Sequence, residues 1–260
     1  MSYRHVHIHR YHEDTLLEDQ AGIVVESPLA LTVNNTAWLT FMCTPTEPEA
    51  LAVGFLFNEG IIKGMDEVAD VRLCEHGDNV DVWLTHAVEQ PAHWRRTSGC
   101  TGGISAVDLL LNESTISHSL HHGESPRPIP AHKICGLMSR LLESQELYRL
   151  SGGVHTSALS DGERLLVVTE DIGRHNTLDK IAGLCLMKDI WPDQRILLTT
   201  GRISSEMLQK AARLGAEAVI SRTAPSSLSV EMAETAGIAL VGYARRDGFI
   251  IYAHPERVNS

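Results

Sequence analysis

A single thiol, Cys100, lies in a run of Gly, Ser and Thr directly after Arg95 and Arg96. Three glycines close to Cys100 predict a loop, because glycine costs a helix or strand interior conformational entropy. Cationic neighbours and the free N–H groups of such a loop favour the thiolate, which is the form that attacks electrophiles and carries sulfur. The segment is therefore either a reactive-thiol loop or a flexible surface loop with an incidental cysteine.

Four polar, turn-rich segments, each with at least one arginine, follow predicted strands farther along the chain. They are residues 170–176, 200–205, 221–227 and 242–248. Ligands of open α/β sheets bind beyond the carboxyl ends of the strands, and helix N-termini attract anions. The segments therefore predict one electropositive site for a phosphorylated or nucleotide-like ligand. The alternative is that each arginine forms a surface ion pair with a neighbouring carboxylate.

Histidines provide further candidates. His155 and His175 could act as a base or as metal ligands, although a single loop histidine more often has a structural hydrogen-bonding role. Four histidines in the first part of the chain alternate as they would along one face of a strand. This pattern fits either a metal-binding tail or a solvated edge strand. These residues are His5, His7, His9 and His12.

The N-terminal third of the chain predicts a small α+β domain over residues 1–96. Alternating β-branched residues predict a first strand pair that turns at Asn34-Asn35, and a second pair is predicted over residues 70–74 and 79–85. Between them, TPTEPEALAVGFLFNEG predicts a helix with Thr46 as its cap and Gly60 at its end.

The rest of the chain divides into a linker and a second domain. Residues 97–129 are rich in Gly, Ser, Pro and His and predict a flexible loop that carries Cys100. In residues 130–260 helical and strand patterns alternate, beginning with an amphipathic helix around Ile134–Leu142. Short, wholly apolar strands predict a mainly parallel sheet with helices on both faces.

The composition limits the possible functions. The chain has 260 residues, 43% of them hydrophobic, which is enough for one large or two modest domains. A formal net charge of -11 argues against nucleic acid and anionic membranes as partners. The N-terminus lacks the apolar core of a secretory signal, and five cysteines without a pairing pattern suit a reducing compartment. A cytoplasmic location is expected.

Several motifs together resemble those of the formate dehydrogenase accessory sulfurtransferase family, FdhD. The motifs include ESPLALTVNN, SGC, GGVHTSAL, EDIGRHNTLDKIAG, TTGRISSEMLQKAARLG, SRTAPSSLSVEMAE and LVGYARRDGFIIYAHPERV. The resemblance implies an α/β fold, a cytidine-deaminase-like mixed sheet with helices on both faces, preceded by a smaller α+β domain. It also implies a homodimer that matures molybdenum-dependent formate dehydrogenase.

The resemblance implies a sulfurtransferase function as well. Cys100 matches the persulfide cysteine, which accepts sulfane sulfur from a cysteine desulfurase and passes it to the molybdenum bis-molybdopterin guanine dinucleotide cofactor, bound as a substrate. Arg174, His175 and Arg202 lie in matching motifs and are assigned to the ligand site. A C-terminal loop matches the one that binds the nucleotide part of the cofactor: Tyr243, Ala244, Arg245, Arg246, Asp247 and Gly248.

The chain departs from the resembled family at one position of the central loop, where Gly103 stands in place of a second cysteine that many members carry. One thiolate is enough to accept sulfur, but it cannot close a disulfide within the loop, so release of sulfide needs an external thiol. This departure keeps open a non-catalytic chaperone that binds the cofactor without handling sulfur. No zinc site is predicted, because the H-x-E or C-x-E and P-C-x-x-C motifs of zinc deaminases do not occur.

Overall fold

The computed structural model describes residues 1–91 and 127–260, together with the backbone of two short strands. These strands, β7 (Arg95–Arg96) and β8 (Ile104–Ser105), pair antiparallel. Cys100 and most of the predicted linker lie outside the described residues. The predicted domain boundaries at 96 and 129 stay predictions.

The described residues form six α-helices. Their bounds are α1 (Pro48–Asn58), α2 (Ala131–Glu143), α3 (Glu146–Ser151), α4 (Arg174–Lys188), α5 (Ser205–Arg213) and α6 (Ser227–Ala236). Helix α2 confirms the amphipathic helix predicted around Ile134–Leu142. It buries Ile134, Leu137, Met138 and Leu141.

A four-stranded sheet and α1 form the first unit. The sheet has the order β4-β3-β6-β5. Its strands are β3 (Ser27–Val33), β4 (Thr36–Cys43), β5 (Val68–Leu73) and β6 (Asn79–Leu84). The predicted turn at Asn34-Asn35 is confirmed, with positive φ angles of 46° and 65°. Asparagine tolerates the left-handed region that a two-residue hairpin turn needs.

The prediction that Thr46 caps helix α1 is wrong. The cap position is occupied by Glu47, at a φ of 51°, and its side chain makes no capping hydrogen bond. The hydroxyl of Thr46 instead accepts a hydrogen bond from Nζ of Lys180 at 2.9 Å. The end of the helix is as predicted, because Gly60 follows at a φ of 75°.

A long antiparallel hairpin precedes the first unit. Its strands are β1 (Tyr3–His12) and β2 (Thr15–Val24). The base of the hairpin packs against α3, since a Cβ at Gly22 would overlap the carbonyl oxygen of Leu150. The four N-terminal histidines are solvent-exposed on β1. His5, His7 and His9 share one face of β1 because they are two residues apart. His12 is an odd number of residues from each of them and therefore lies on the opposite face.

A six-stranded mixed sheet forms the centre of the second unit, in the order β11-β10-β12-β13-β14-β15. Its strands are β10 (His155–Ser160), β11 (Leu165–Asp171), β12 (Ile196–Thr199), β13 (Ala218–Ser221), β14 (Ala239–Gly242) and β15 (Ile250–Ala253). Only β12–β13 and β13–β14 are parallel pairs. The expectation of a mainly parallel sheet is therefore wrong, and that of a mixed sheet is confirmed. Strands β10 and β15 run antiparallel to their neighbours.

Helices cover both faces of this sheet, as predicted. Helices α4, α5 and α6 pack on the face that carries Leu197, Val219 and Leu240. Helix α2 packs on the opposite face, where the alternate residues Leu198 and Ile220 point. Two further short strands, β9 (Ile129–Pro130) and β16 (Val258–Asn259), pair parallel with each other.

Candidate functional site

The four arginine-bearing segments meet at one edge of the six-stranded sheet. Strand β10 is antiparallel to both β11 and β12, so strands β11 to β14 all run in the same direction and end at this edge. Backbone hydrogen bonds join adjacent segments. The N–H of Arg222 donates to Thr199 at 3.1 Å, and the N–H of Ala244 donates to Ser221 at 2.9 Å. The structure thus brings together segments that are up to 78 residues apart, from 170 to 248.

Arg174 and His155 pack around Gly201 at this edge. Arg174 is the first residue of α4 and is 5% exposed. A Cβ at Gly201 would lie 3.1 Å from the Cβ of Arg174 and 3.4 Å from Nδ1 of His155, so this close packing favours glycine. Burial, followed by the charges of Arg174 and Arg202, lowers the pKa of His155 against the opposing effect of Asp171. The imidazole is therefore neutral near pH 7 and able to accept a proton.

His175 is buried beside the start of helix α5. Its Nε2 lies 3.4 Å from Oγ of Ser204 and 3.9 Å from the carboxylate of Glu206. Ser204 occupies the cap position of α5 without making a side-chain capping bond, so its hydroxyl is available to His175. Burial, then the charges of Lys210, Arg174 and His155, hold the pKa of His175 well below its usual value. His175 is thus a second neutral imidazole at the site.

The C-terminal loop contributes both exposed and structural residues. Tyr243 is 44% exposed and adopts a φ of 51°, whereas Ala244 is fully buried. The guanidinium of Arg245 donates to the carbonyl of Arg222 at 2.5 Å, and the N–H of Arg245 donates to Gly248. Arg245 therefore ties two loops together. The remaining predicted residues Arg246, Asp247 and Arg202 are exposed at the same edge.

Three residues of the motif EDIGRHNTLDK hold the first unit in place, namely Asp171, Asn176 and Lys180. Nζ of Lys180 lies 2.7 Å from Oδ2 of Asp171, and neither side chain is exposed. The N–H of Thr44 donates to the same carboxylate at 3.0 Å, and Lys180 also donates to the carbonyl of Thr44. Asn176 donates to the carbonyl of Met42 at 3.0 Å. These residues hold the connector between β4 and α1.

Sequence reasoning missed this role of Asp171, Asn176 and Lys180. A signal was present, because Lys180 falls between the apolar residues Leu178 and Ile181 on the helix. A lysine at such a position is buried only when a partner compensates its charge. The sequence gives no means of choosing that partner.

The cysteines of the described residues differ in accessibility. Cys43 and Cys185 are buried, and burial raises the pKa of each thiol to about 12. Neither is a thiolate near neutral pH, so neither is a nucleophile there. Cys74 and Cys135 are partly buried. Cys100, the predicted sulfur-carrying residue, lies in sequence between β7 and β8 and outside the described residues.

Comparison with known proteins identifies the family. A family model described as the FdhD/NarQ family matches residues 24–259. This chain belongs to the FdhD/NarQ family. Proteins named sulfur carrier protein FdhD from Staphylococcus aureus strains RF122 and JH9 are 35% identical to it over 252 residues, which covers 96% of this chain and 94% of each relative.

A solved structure resembles the whole chain. It is described as a formate dehydrogenase accessory protein from Desulfotalea psychrophila, with a TM-score of 0.81, 26% sequence identity and complete coverage of both chains. The resemblance to FdhD that the motifs indicated is thereby confirmed, as is the α/β fold.

The described residues show neither a metal cluster nor a membrane helix. Across residues 1–91 and 127–260, no group of three or more His, Cys, Asp or Glu side chains is arranged to hold a metal ion. None of the helices within these ranges is long and apolar enough to cross a membrane.

Proposed function

We propose that this chain is a sulfur carrier that acts in the maturation of formate dehydrogenase. The observation that carries the proposal is the similarity over nearly the full length to proteins named sulfur carrier protein FdhD. The formate dehydrogenase accessory protein of similar fold supports the same role. Within this role, Cys100 is the sulfur-carrying residue.

The proposed first step is a thiol–persulfide exchange. The Cys100 thiolate attacks the outer sulfur of a cysteine desulfurase persulfide, the donor S–S bond breaks, and the donor leaves as a thiolate. The outer sulfur stays on Cys100 as a persulfide, and no external oxidant is needed. Cys43 and Cys185 are unsuited to this attack, because burial raises the pKa of each thiol to about 12.

The proposed second step passes the sulfur to the molybdenum bis-molybdopterin guanine dinucleotide cofactor, bound as a substrate. Release as sulfide requires two electrons. Because Gly103 replaces a second loop cysteine, an external thiol supplies them by forming a mixed disulfide with Cys100. The substrate site is the sheet edge with the arginines, and the exposed residues of the loop from Tyr243 to Gly248 contact the nucleotide part.

Replacement of Cys100 tests the carrier function. The wild-type protein and the Cys100→Ala variant are incubated with a cysteine desulfurase and cysteine, and their intact masses are measured. The wild type is expected to gain one sulfur that the variant does not gain, and the variant should not restore formate dehydrogenase activity in cells that lack the wild-type protein. Cys74→Ala is the matched control and should behave as wild type.

An equal gain in both proteins, or full maturation by Cys100→Ala, would contradict the carrier function. The second result would favour a chaperone that binds the cofactor without handling sulfur.

The proposal also includes a cytoplasmic homodimer. A monomer in sedimentation equilibrium would contradict that part alone.

A further inference from the structure

A groove runs along strand β11, which forms one edge of the six-stranded sheet. Within the described residues β11 pairs with β10 alone, so its other side has no strand partner. The groove has a volume of about 690 Å³, which is the size of a binding site. It touches the consecutive residues Val168, Thr169 and Glu170. Because successive side chains point to opposite faces of a sheet, a groove that touches all three lies along the strand edge.

The edge of β11 is suited to pairing with another strand. Its register with β10 is regular from Val167 to Asp171. Val167, Val168 and Thr169 are β-branched, and the strand contains neither proline nor lysine, the residues that often protect an edge. An edge of this kind can add an extended segment of another chain through main-chain hydrogen bonds.

One wall of the groove carries an available carboxylate. Helix α1 crosses α4, which covers one face of this sheet, so the residues just before α1 form the wall on that face. These residues are Thr46 and Glu47. Glu47 is exposed, and among the described residues its carboxylate has no hydrogen-bond or ion-pair partner. It is therefore available to a cation.

The other wall is largely apolar. Val168 points toward the core beneath α2, and Glu170, two residues later, points to the same face. The carboxylate of Glu170 accepts the N–H groups of residues 146–148 and thereby anchors α3 at this wall. Leu147 and Leu150 of α3 line the groove, and Leu150 is 49% exposed. This wall can therefore bind an apolar side chain.

The charge of the groove selects a basic occupant. Its described lining residues include three glutamates and no lysine, arginine or histidine. Glu170 is engaged with α3, whereas Glu47 and Glu146 are exposed. A second copy of this chain fits poorly, because its own β11 ends in Glu170 and Asp171 and would add negative charge.

We propose that the edge of β11 binds an extended segment of a partner protein in which basic and apolar side chains alternate. Alternate side chains of a paired strand point to opposite faces, so the basic ones reach the wall with Glu47 and the apolar ones reach Leu147 and Leu150. The inference goes beyond the proposed function and does not depend on sulfur transfer.

Calorimetric titration of the full chain with capped pentapeptides tests the groove. The probe has the sequence KVKVK, and EVEVE is its charge-reversed control. The wild type should bind KVKVK and not EVEVE. Glu47→Gln should weaken KVKVK about two- to fivefold, since it removes one exposed ion pair. Leu150→Ala should weaken it by about fivefold through lost apolar contact.

Two matched variants control for unspecific effects. Glu231 and Leu228 are exposed on α6 and do not line the groove. Glu231→Gln and Leu228→Ala should therefore bind KVKVK as the wild type does.

Backbone pairing is tested with two further forms of KVKVK, N-methylated either at the valines or at the lysines. In an extended peptide the N–H groups of alternate residues point to opposite edges, and only one edge can pair with β11. One form should therefore lose affinity about tenfold, whereas the other should bind as the parent peptide does. KVKVK should also slow hydrogen exchange at alternate amides of β11 in the wild type.

Three results would overturn the inference: no binding of KVKVK by the wild type, wild-type affinity in both Glu47→Gln and Leu150→Ala, or equal affinity of the two N-methylated forms. Displacement of a homodimer by KVKVK, measured by sedimentation, would also overturn it, because a second copy would then fill the groove. Sulfur loading of Cys100 tests the proposed function separately, and its failure would leave this inference standing.

Discussion

At the scale of single residues, burial decides which groups are reactive and which are structural. Asp171 and Lys180 are fully buried and satisfy each other, so their charges serve the fold. His155 and His175 are neutral because desolvation opposes their protonation. The arginines that remain exposed at the sheet edge are the groups available to a ligand.

Removal of the Lys180 charge should be strongly destabilising. Lys180→Met leaves the Asp171 carboxylate buried without its cation, and breaking a buried pair in this way costs about 3–5 kcal/mol. Urea unfolding would measure the loss. Lys188→Met, at the exposed end of the same helix, is the control and should change the free energy of unfolding by less than about 0.5 kcal/mol. Equal effects of the two variants would contradict the structural role of the pair.

His175 should make the stability depend on pH. Its pKa lies well below 6.5 in the folded state, so below that pH the unfolded chain binds a proton that the folded chain does not. Stability is therefore present above about pH 6.5 and is lost as the pH falls. Between pH 7 and 5.5 the wild type should lose about 1 kcal/mol more than His175→Gln in urea unfolding. His132→Gln, at an exposed position, should keep the wild-type dependence.

At the scale of elements, the crossing of α1 and α4 joins the two units. Their backbones touch, because a Cβ at Gly54 would overlap the carbonyl oxygen of Asp179 and a Cβ at Gly183 would overlap that of Ala50. Two glycines on facing helices permit this approach. The crossing also brings the amide of Asn58 to the carboxylate of Asp179, at 2.7 Å.

Alanine at this crossing should destabilise the protein although alanine favours helices. Gly54→Ala and Gly183→Ala force α1 and α4 apart, and overpacking of this kind costs about 1–3 kcal/mol or more. Gly136→Ala in α2 is the matched control, since nothing lies within 4 Å of the added Cβ. It should raise the free energy of unfolding by about 0.5–1 kcal/mol. Thermal unfolding of the three variants measures the difference, and stabilisation by Gly54→Ala would exclude the close crossing.

At the scale of the whole molecule, the two units share one buried boundary. Phe57 and Trp191 pack against the cores of both units. The connector at Thr44 is bonded to Asp171 and Lys180 of the second unit. These contacts couple the stability of each unit to that of the other.

Both units should therefore unfold in one transition. Three of the four tryptophans, Trp38, Trp83 and Trp191, lie in the first unit or at the boundary, so tryptophan fluorescence reports mainly on these regions. Far-UV circular dichroism reports on the helices of both units. The urea midpoints from the two probes should coincide. In Lys180→Met, which weakens the boundary, the two midpoints should move apart. Two separate transitions in the wild type would show that the units are independent.

The sequence by itself determined the features that depend on neighbouring residues. The turn at Asn34-Asn35, the end of α1 at Gly60 and the helix around Ile134 follow from local backbone preferences and from a 3.6-residue period. The motifs also identified the family, and Cys100 with its loop was evident as a candidate from the residue types alone.

Only the tertiary structure decided the features that depend on distant partners. Thr46 is bonded to Lys180 rather than capping α1, and Arg245 ties loops together rather than standing free. Strand β10 is reversed within the sheet. The choice of partner for a buried charge, or of neighbour for a strand, is a competition among groups far apart in the chain. Spacing along the sequence does not record its outcome.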